Sequence, residues 1–452
     1  MSNISQQSQN QQLKNISRYY RSGESLINQT YHGKAAAYNQ NSKPIDKRRA
    51  PKLFLLCFSA FCIIGGTYSF AIQHTTKYLF KSTVTPDQKL KSFRQDENNN
   101  DNVSDTLQYE GDNNEGLKVP SSTTNLYDSL QFNLNEIAKP NIDMKGNPIR
   151  LPPQLANLAD IHTPITRASH STRRNNQNEV PIFWHVPRSG GSSIKDIASF
   201  CFGLTLASEV GPIIDPNNAV SVTHTLTTVT DANSGANFVN VDTTSVEGLN
   251  VAQNMNLASY EGLDLIVTPY IFLGSQMLFN EVNRGRLFML LRHPIDRAVS
   301  MYYYLRDKTG IRGAQIGDTL DLYAKSSMVE NNWMTRFLTN KMGGELTADD
   351  EALAKEILKT KCLVGLLSKK TESMRRFKLY YGWKAQDHDG SNEDCEDKLF
   401  HWGWSGINKH EMIQEGSDTW NALKEQNAFD VRLYEYAVKI FEVQGATMFQ
   451  DN

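Results

Sequence analysis

Hydrophobic and polar positions divide this chain into zones of contrasting pattern. Residues 1–52 are rich in Gln, Asn, Ser and Lys with little apolar periodicity, which predicts a disordered tail. Leu53 to Ile72 form an uncharged, almost unbroken apolar run. At 1.5 Å per residue its length matches a ~30 Å hydrocarbon layer, so 53–72 reads as a transmembrane helix. From 73 to 178 the chain turns polar again, and Gln95 to Glu115 is dense in Asp, Asn and Glu. Such a block buries too little apolar surface to offset its ordering entropy, so a disordered stalk is predicted. Residues 179–445 differ. Strand-like runs at Ile182–Val186, Leu263–Val267 and Leu287–Leu291 are separated or followed by helical spacing, as at Ile194, Ile197, Ala198 and Cys201. That order predicts an α/β domain, a central parallel β-sheet flanked by helices. Asn427 to Gly445 reads as an amphipathic helix with Asn427 as N-cap and Asp430 in the capping-box position. Phe429, Leu433, Tyr436, Ala437 and Ile440 form its apolar stripe and Gly445 its stop, which leaves 446–452 as a tail.

Charge adds an orientation. Lys43, Lys47, Arg48, Arg49 and Lys52 precede the apolar run, and only Lys77 and Lys81 follow closely. This bias places the N-terminus in the cytosol and the rest across the membrane, a single-pass type II layout. A net charge of -2 gives no reason to expect nucleic acid as a partner. Asn102-Val-Ser104 is a glycosylation sequon on the far side. Cys201, Cys362 and Cys395 would lie in that oxidising space and permit one internal disulfide. Cys362–Cys395 is the expected pair, because Cys201 falls on the buried face of its helix.

Two strand-to-helix corners carry the candidate chemistry. In the first, Trp184-His-Val-Pro-Arg-Ser-Gly-Gly-Ser-Ser193, an apolar strand enters a glycine-containing turn and then a helix. Backbone N–H groups and a helix dipole directed at one spot suit a phosphate. Arg188 adds a fixed charge, and Ser189, Ser192 and Ser193 add hydroxyl donors around Gly190 and Gly191. The second, Arg292-His-Pro-Ile-Asp-Arg-Ala-Val-Ser300, sets Arg292 at a strand end and Ser300 on the following helix, where Pro294 suits the first turn. An arginine and a hydroxyl in those places suit a second phosphate.

The two segments together resemble the paired motifs of membrane-anchored Golgi carbohydrate sulfotransferases, nearest the heparan sulfate 2-O- and 6-O-sulfotransferase type. The resemblance implies a P-loop NTPase-like sulfotransferase fold over 179–445. It also implies transfer of a sulfonate from PAPS (3′-phosphoadenylyl sulfate) to a carbohydrate hydroxyl, with no metal. Carried over, Arg188, Ser189, Gly190, Gly191, Ser192 and Ser193 would hold the 5′-phosphosulfate, with Arg188 also catalytic. Arg292 and Ser300 would hold the 3′-phosphate. Weaker echoes are Asn331-Asn-Trp-Met-Thr-Arg-Phe-Leu338, Val364-Gly-Leu-Leu367 and Leu433-Tyr-Glu-Tyr-Ala437.

Two positions depart from the family pattern. Arg188 stands where the family has lysine, and the two cations differ in reach and donor geometry. No histidine occurs in Thr268-Pro-Tyr-Ile-Phe272, where the family places its general base. His224, between the two motifs, is the leading candidate for that role, with the Glu and Asp residues of the 240–262 loop also open; His185 reads as structural and His293 as turned away. Two other classes remain open. A nucleotide-dependent kinase would want a Gly-Lys-Ser/Thr loop and bound Mg²⁺. A membrane-tethered PAP- or glycan-binding pseudoenzyme would keep both phosphate corners without transfer.

Overall fold

The computed structural model describes residues 122–165, 178–232, 234–308, 317–384, 392–402 and 412–449. The tail 1–52, the apolar run 53–72 and the Gln95–Glu115 block lie outside them. Among the described residues no helix is long and apolar enough to cross a membrane.

Seven strands form one sheet: β1 (Asn178–Trp184), β2 (Leu206–Ala207), β3 (Thr228–Thr230), β4 (Asn237–Val239), β5 (Leu265–Thr268), β6 (Asn283–Leu291) and β7 (Cys362–Leu366). Their order is β3-β4-β2-β5-β1-β6-β7. β1 is central, in parallel register with β5 at Ile182–Ile266 and with β6 at Ile182–Leu287. The expected all-parallel sheet is corrected at one edge, where β3 runs antiparallel to β4. Only a short turn joins these two, and a parallel return needs a longer crossover.

The helices are α1 (Ser122–Ala138), α2 (Gly191–Asp196), α3 (Val210–Ile214), α4 (Val220–Thr223), α5 (Val246–Asn254), α6 (Ile271–Leu278) and α7 (Pro294–Lys308). After these come α8 (Leu320–Ala324), α9 (Trp333–Thr339), α10 (Ala348–Lys361), α11 (Lys370–Tyr381), α12 (Asn392–Trp402), α13 (Asp418–Gln426) and α14 (Ala428–Met448). α2 runs directly into a π-helical turn, Ile197–Cys201.

Strand periodicity sorts the core into two layers. Val180, Ile182 and Trp184 of β1 join Leu287, Met289 and Leu291 on the face covered by α9, α10 and α14. Phe183, Phe288 and Leu290 point the other way, against α2, α11 and α12. Strands buried on both faces read as continuous apolar runs, which is why β1, β5 and β6 are visible in the sequence.

Four expectations change here. The segment 122–165 falls in the predicted stalk, yet Ile137, Leu155, Leu158 and Ile161 are buried in the head. α14 runs through Gly445 to Met448, so that glycine is no stop. A Cβ there would collide with the Arg376 guanidinium, and close approach is what the position requires. The disulfide joins Cys201 to Cys395, while Cys362 is a buried free thiol. Cys201 is buried because α12, which carries its partner, packs on that face of the α2 helix. Finally, Asn427 makes no side-chain cap to α14. Asn332 does so instead, its Oδ1 accepting from Phe429 N–H at 2.8 Å and Asp430 N–H at 3.1 Å.

Candidate functional site

Parallel strands bring all their C-terminal ends to one edge of the sheet, and ligands of open α/β sheets bind there. At the end of β1 the chain extends the ladder once more, His185 N–H donating to the Thr268 carbonyl at 3.0 Å. It then turns sharply. Arg188 (φ 62) and Gly190 (φ 87) are both left-handed. Such alternation of hand turns successive N–H groups toward one concavity. For Arg188 that conformation costs about 1–2 kcal/mol, the kind of strain held at functional sites.

Gly191 opens α2 with no room for a side chain, since a Cβ would overlap the His185 ring. Gly190 faces Leu367 and Leu290, and a Cβ there would lie 2.9 Å from Leu367 Cδ1. The Ser189 hydroxyl is buried and has no protein partner, while Ser192 and Ser193 are half-buried on the first turn of α2. An unpaired buried hydroxyl beside inward-turned N–H groups is what an anion cradle requires.

The corner after β6 meets this loop. Arg188 Nε donates to Ser300 Oγ at 3.2 Å, and Arg292 Nη1 donates to the Arg188 carbonyl at 3.4 Å. The Arg188 guanidinium also lies over the Tyr304 ring, 4.6 Å from its centroid. Arg188, Arg292 and Ser300, far apart in sequence, thus form one group along the β1–β6 edge. Burial lowers the pKa of Arg292, with Asp296 opposing the shift. Arg297, the other cation of this motif, is buried elsewhere, paired with Glu330 at 2.6 Å and set over Trp333. It braces α7 and lies outside the anion group.

His224 stands apart. It is exposed, left-handed (φ 57) and caps the end of α4. α4 is held to the corner after β4, where Val220 N–H donates to the Asn240 carbonyl at 3.0 Å. β5 and β2 therefore lie between His224 and β1. His293 is half-buried with its ring edge-on to Tyr434.

A second cluster at this edge is not legible in the sequence pattern. Lys195, one turn into α2, pairs with Glu209 at the corner after β2, near the His185 ring. Burial pushes the Glu209 carboxyl up, but Lys195 and then His185 outweigh it and hold the group below its ordinary range. Burial, with Lys195 next, pushes His185 down to about 4, so its imidazole is neutral near pH 7. One oxygen of Glu209, Oε2, is buried without a partner. The signal that would have found Glu209 is β2 itself, but two residues are too short a run to recognise. Among the described residues no three His, Cys, Asp or Glu side chains gather as a metal site would require.

No family model and no curated protein sequence matches the chain. Among solved structures, the crystal structure of mouse sulfotransferase SULT7A1 complexed with PAP aligns at a TM-score of 0.27 and 14% identity. That alignment covers 63% of this chain and 88% of the other. So slight a likeness carries no argument about function.

Proposed function

We propose that this chain is a PAPS-dependent sulfotransferase that moves a sulfonate to a carbohydrate hydroxyl by in-line transfer. One observation carries the reading: the loop after β1 and the corner after β6 touch through Arg188, Ser300 and Arg292. PAPS has two separated anionic ends, and two adjacent anion-binding corners are what such a donor needs. The buried, unpartnered Ser189 hydroxyl fits a phosphate entering the loop, and Gly191 lets the His185 ring pack against the start of α2.

In this reading the N–H groups of 189–193, with Ser192 and Ser193, hold the 5′-phosphosulfate end. Arg292 and Ser300 hold the 3′-phosphate. As the new bond forms between acceptor oxygen and sulfur, the bond from sulfur to the bridging phosphate oxygen breaks, and its electron pair leaves with PAP. Arg188 and the loop N–H groups stabilise that charge, the contribution expected to dominate the acceleration. A base takes the hydroxyl proton, a step worth on the order of 10²–10⁴-fold. Two groups compete for the role. His224 is exposed on the acceptor side; Glu209 is ionised and has an unused buried oxygen next to the loop. The unused oxygen favours Glu209.

The Golgi membrane is the proposed location, with the head luminal and the Asn102 sequon before it available for glycosylation. The Cys201–Cys395 disulfide supports an oxidising compartment, and the apolar run at 53–72 supplies the anchor.

Titration calorimetry with PAP and with 5′-AMP tests the donor assignment. Arg292→Ala should weaken PAP binding about 10- to 100-fold, equivalent to ~1.5–3 kcal/mol for a charge-assisted contact, and leave 5′-AMP nearly unchanged. Equal weakening of both ligands places Arg292 away from the 3′-phosphate. Radiolabel transfer from PAPS then assigns the base. Glu209→Gln is expected to lower kcat on the order of 10²-fold or more with PAP affinity kept, and His224→Ala to act more weakly. The reverse order returns the role to His224. Mg²⁺-dependent phosphoryl transfer from ATP, with no sulfonate transferred from PAPS, would instead point to a kinase.

A further inference from the structure

The strands on the β5 side of β1, and the helices between them, carry no lysine or arginine of their own among the described residues. Between Lys195 and Arg284 the sequence has nine carboxylates and no lysine or arginine, and His224 is its one histidine. That stretch supplies β2, β3, β4 and β5 with helices α3 to α6, the strands on the side of β1 away from β6. The lysine that faces it from α2, Lys195, is already paired with Glu209.

The direction of the donor gives this asymmetry its meaning. With the 3′-phosphate at the β6 corner and the 5′ end at the β1 corner, the sulfonate faces the corners after β5, β2 and β4. The ionisable groups there include Glu209 with its partner Lys195 and the neighbouring His185, then Asp215, Asp242, Glu247 and His224. Asp242 is held in place by Thr244 N–H at 2.8 Å, Thr244 Oγ1 at 2.8 Å and Ser245 Oγ at 2.7 Å. Asp215 accepts from Asn218 N–H at 3.2 Å. Glu247 is exposed on the first turn of α5. Of the uncharged polar side chains beside them, Thr225 is exposed and Thr244 half-buried, whereas Thr243 and Asn240 are buried and hydrogen-bonded within the protein. A polyanionic acceptor brought to this edge would meet charges of its own sign, and the two cations described beside them are engaged, Lys195 with Glu209 and Arg188 with Ser300.

We infer that the acceptor is an uncharged glycan, recognised by hydroxyl and amide contacts, and not a uronate-bearing or already sulfated polysaccharide. This departs from the acidic polymers that the motif resemblance would suggest. It rests on the sulfotransferase reading and adds the charge class of the substrate.

The test uses the full-length protein, PAPS as donor and two acceptors. One is an N-acetyllactosamine oligosaccharide, which is neutral; the other is an unsulfated polymer of alternating glucuronate and N-acetylglucosamine. Transfer to the neutral acceptor should exceed transfer to the polymer at least about tenfold in kcat/KM. The gap should narrow as salt rises, because screening shortens the reach of the carboxylates. Glu247→Lys, outside the donor contacts, should raise transfer to the polymer relative to the neutral acceptor and so narrow the gap between them. A polymer preferred over the oligosaccharide, or transfer to neither while PAP binds, overturns the inference and leaves the donor assignment standing. Failure to bind PAP overturns both.

Discussion

Gly191 shows what a single hydrogen atom decides at this site. It meets the edge of the His185 ring, and any side chain there must displace that half-buried imidazole from its place beside Glu209. Gly191→Ala should cost about 1–3 kcal/mol of stability, the usual range for overpacking, and should weaken PAP binding with it. Thermal unfolding and calorimetry read the two effects; if neither moves, His185 swings aside freely and the loop is less rigid than its packing requires. The loop residues were legible in the sequence because glycines and hydroxyls at a strand–helix junction have few other uses. Glu209 was not, since a carboxylate's partners depend on a neighbouring strand that local spacing does not reveal. Arg188 was placed correctly in the loop, but its contact with Ser300 depends on strand order, which periodicity does not specify.

At the scale of elements, two helix N-termini cap each other. Asn332, just before α9, accepts from the first N–H groups of α14. Asp430, on α14, accepts from Met334 N–H at 2.9 Å, Thr335 N–H at 2.8 Å and Thr335 Oγ1 at 2.8 Å. Asp430 is fully buried, and that burial raises its pKa although Arg297 and the α9 donors oppose it. Local spacing assigns Asp430 a capping-box role within its own helix. The residue type is right, but tertiary packing commits it to another helix. Asp430→Ala strands three buried donors and should destabilise the fold by about 2–3 kcal/mol, measured by urea unfolding. A loss under ~0.5 kcal/mol would show that water or a shifted α9 satisfies those donors.

Across the whole molecule, distant segments are tied to the β1–β6 core by polar clamps. Arg286, on β6, pairs with Glu179 at 2.6 Å and donates to the Asp160 and Thr163 carbonyls, each at 2.9 Å. Those carbonyls belong to the segment expected to be stalk, so the head begins earlier than composition suggested. The disulfide closes a sequence separation of 194 residues and fastens α12 to the helix that follows β1. Cys395→Ser should lower stability by about 2–5 kcal/mol, as for native disulfides generally, and reducing agent should then have no further effect. Full retention of the unfolding midpoint would show that the α12 contacts alone carry this edge.

Apolar runs buried on both faces, glycines at strand ends and charge bias around a long apolar stretch are local signals. They were enough to specify an α/β head, its strands β1, β5 and β6, and the two strand-to-helix corners at the ends of β1 and β6. Which strands are neighbours, which helix covers a given cysteine, and which carboxylate reaches a given donor are pairings between distant positions. Their energies appear only once the sheet has ordered its strands, and for that reason the antiparallel edge, the Cys201–Cys395 bond and the Lys195–Glu209 pair were decided by tertiary structure alone.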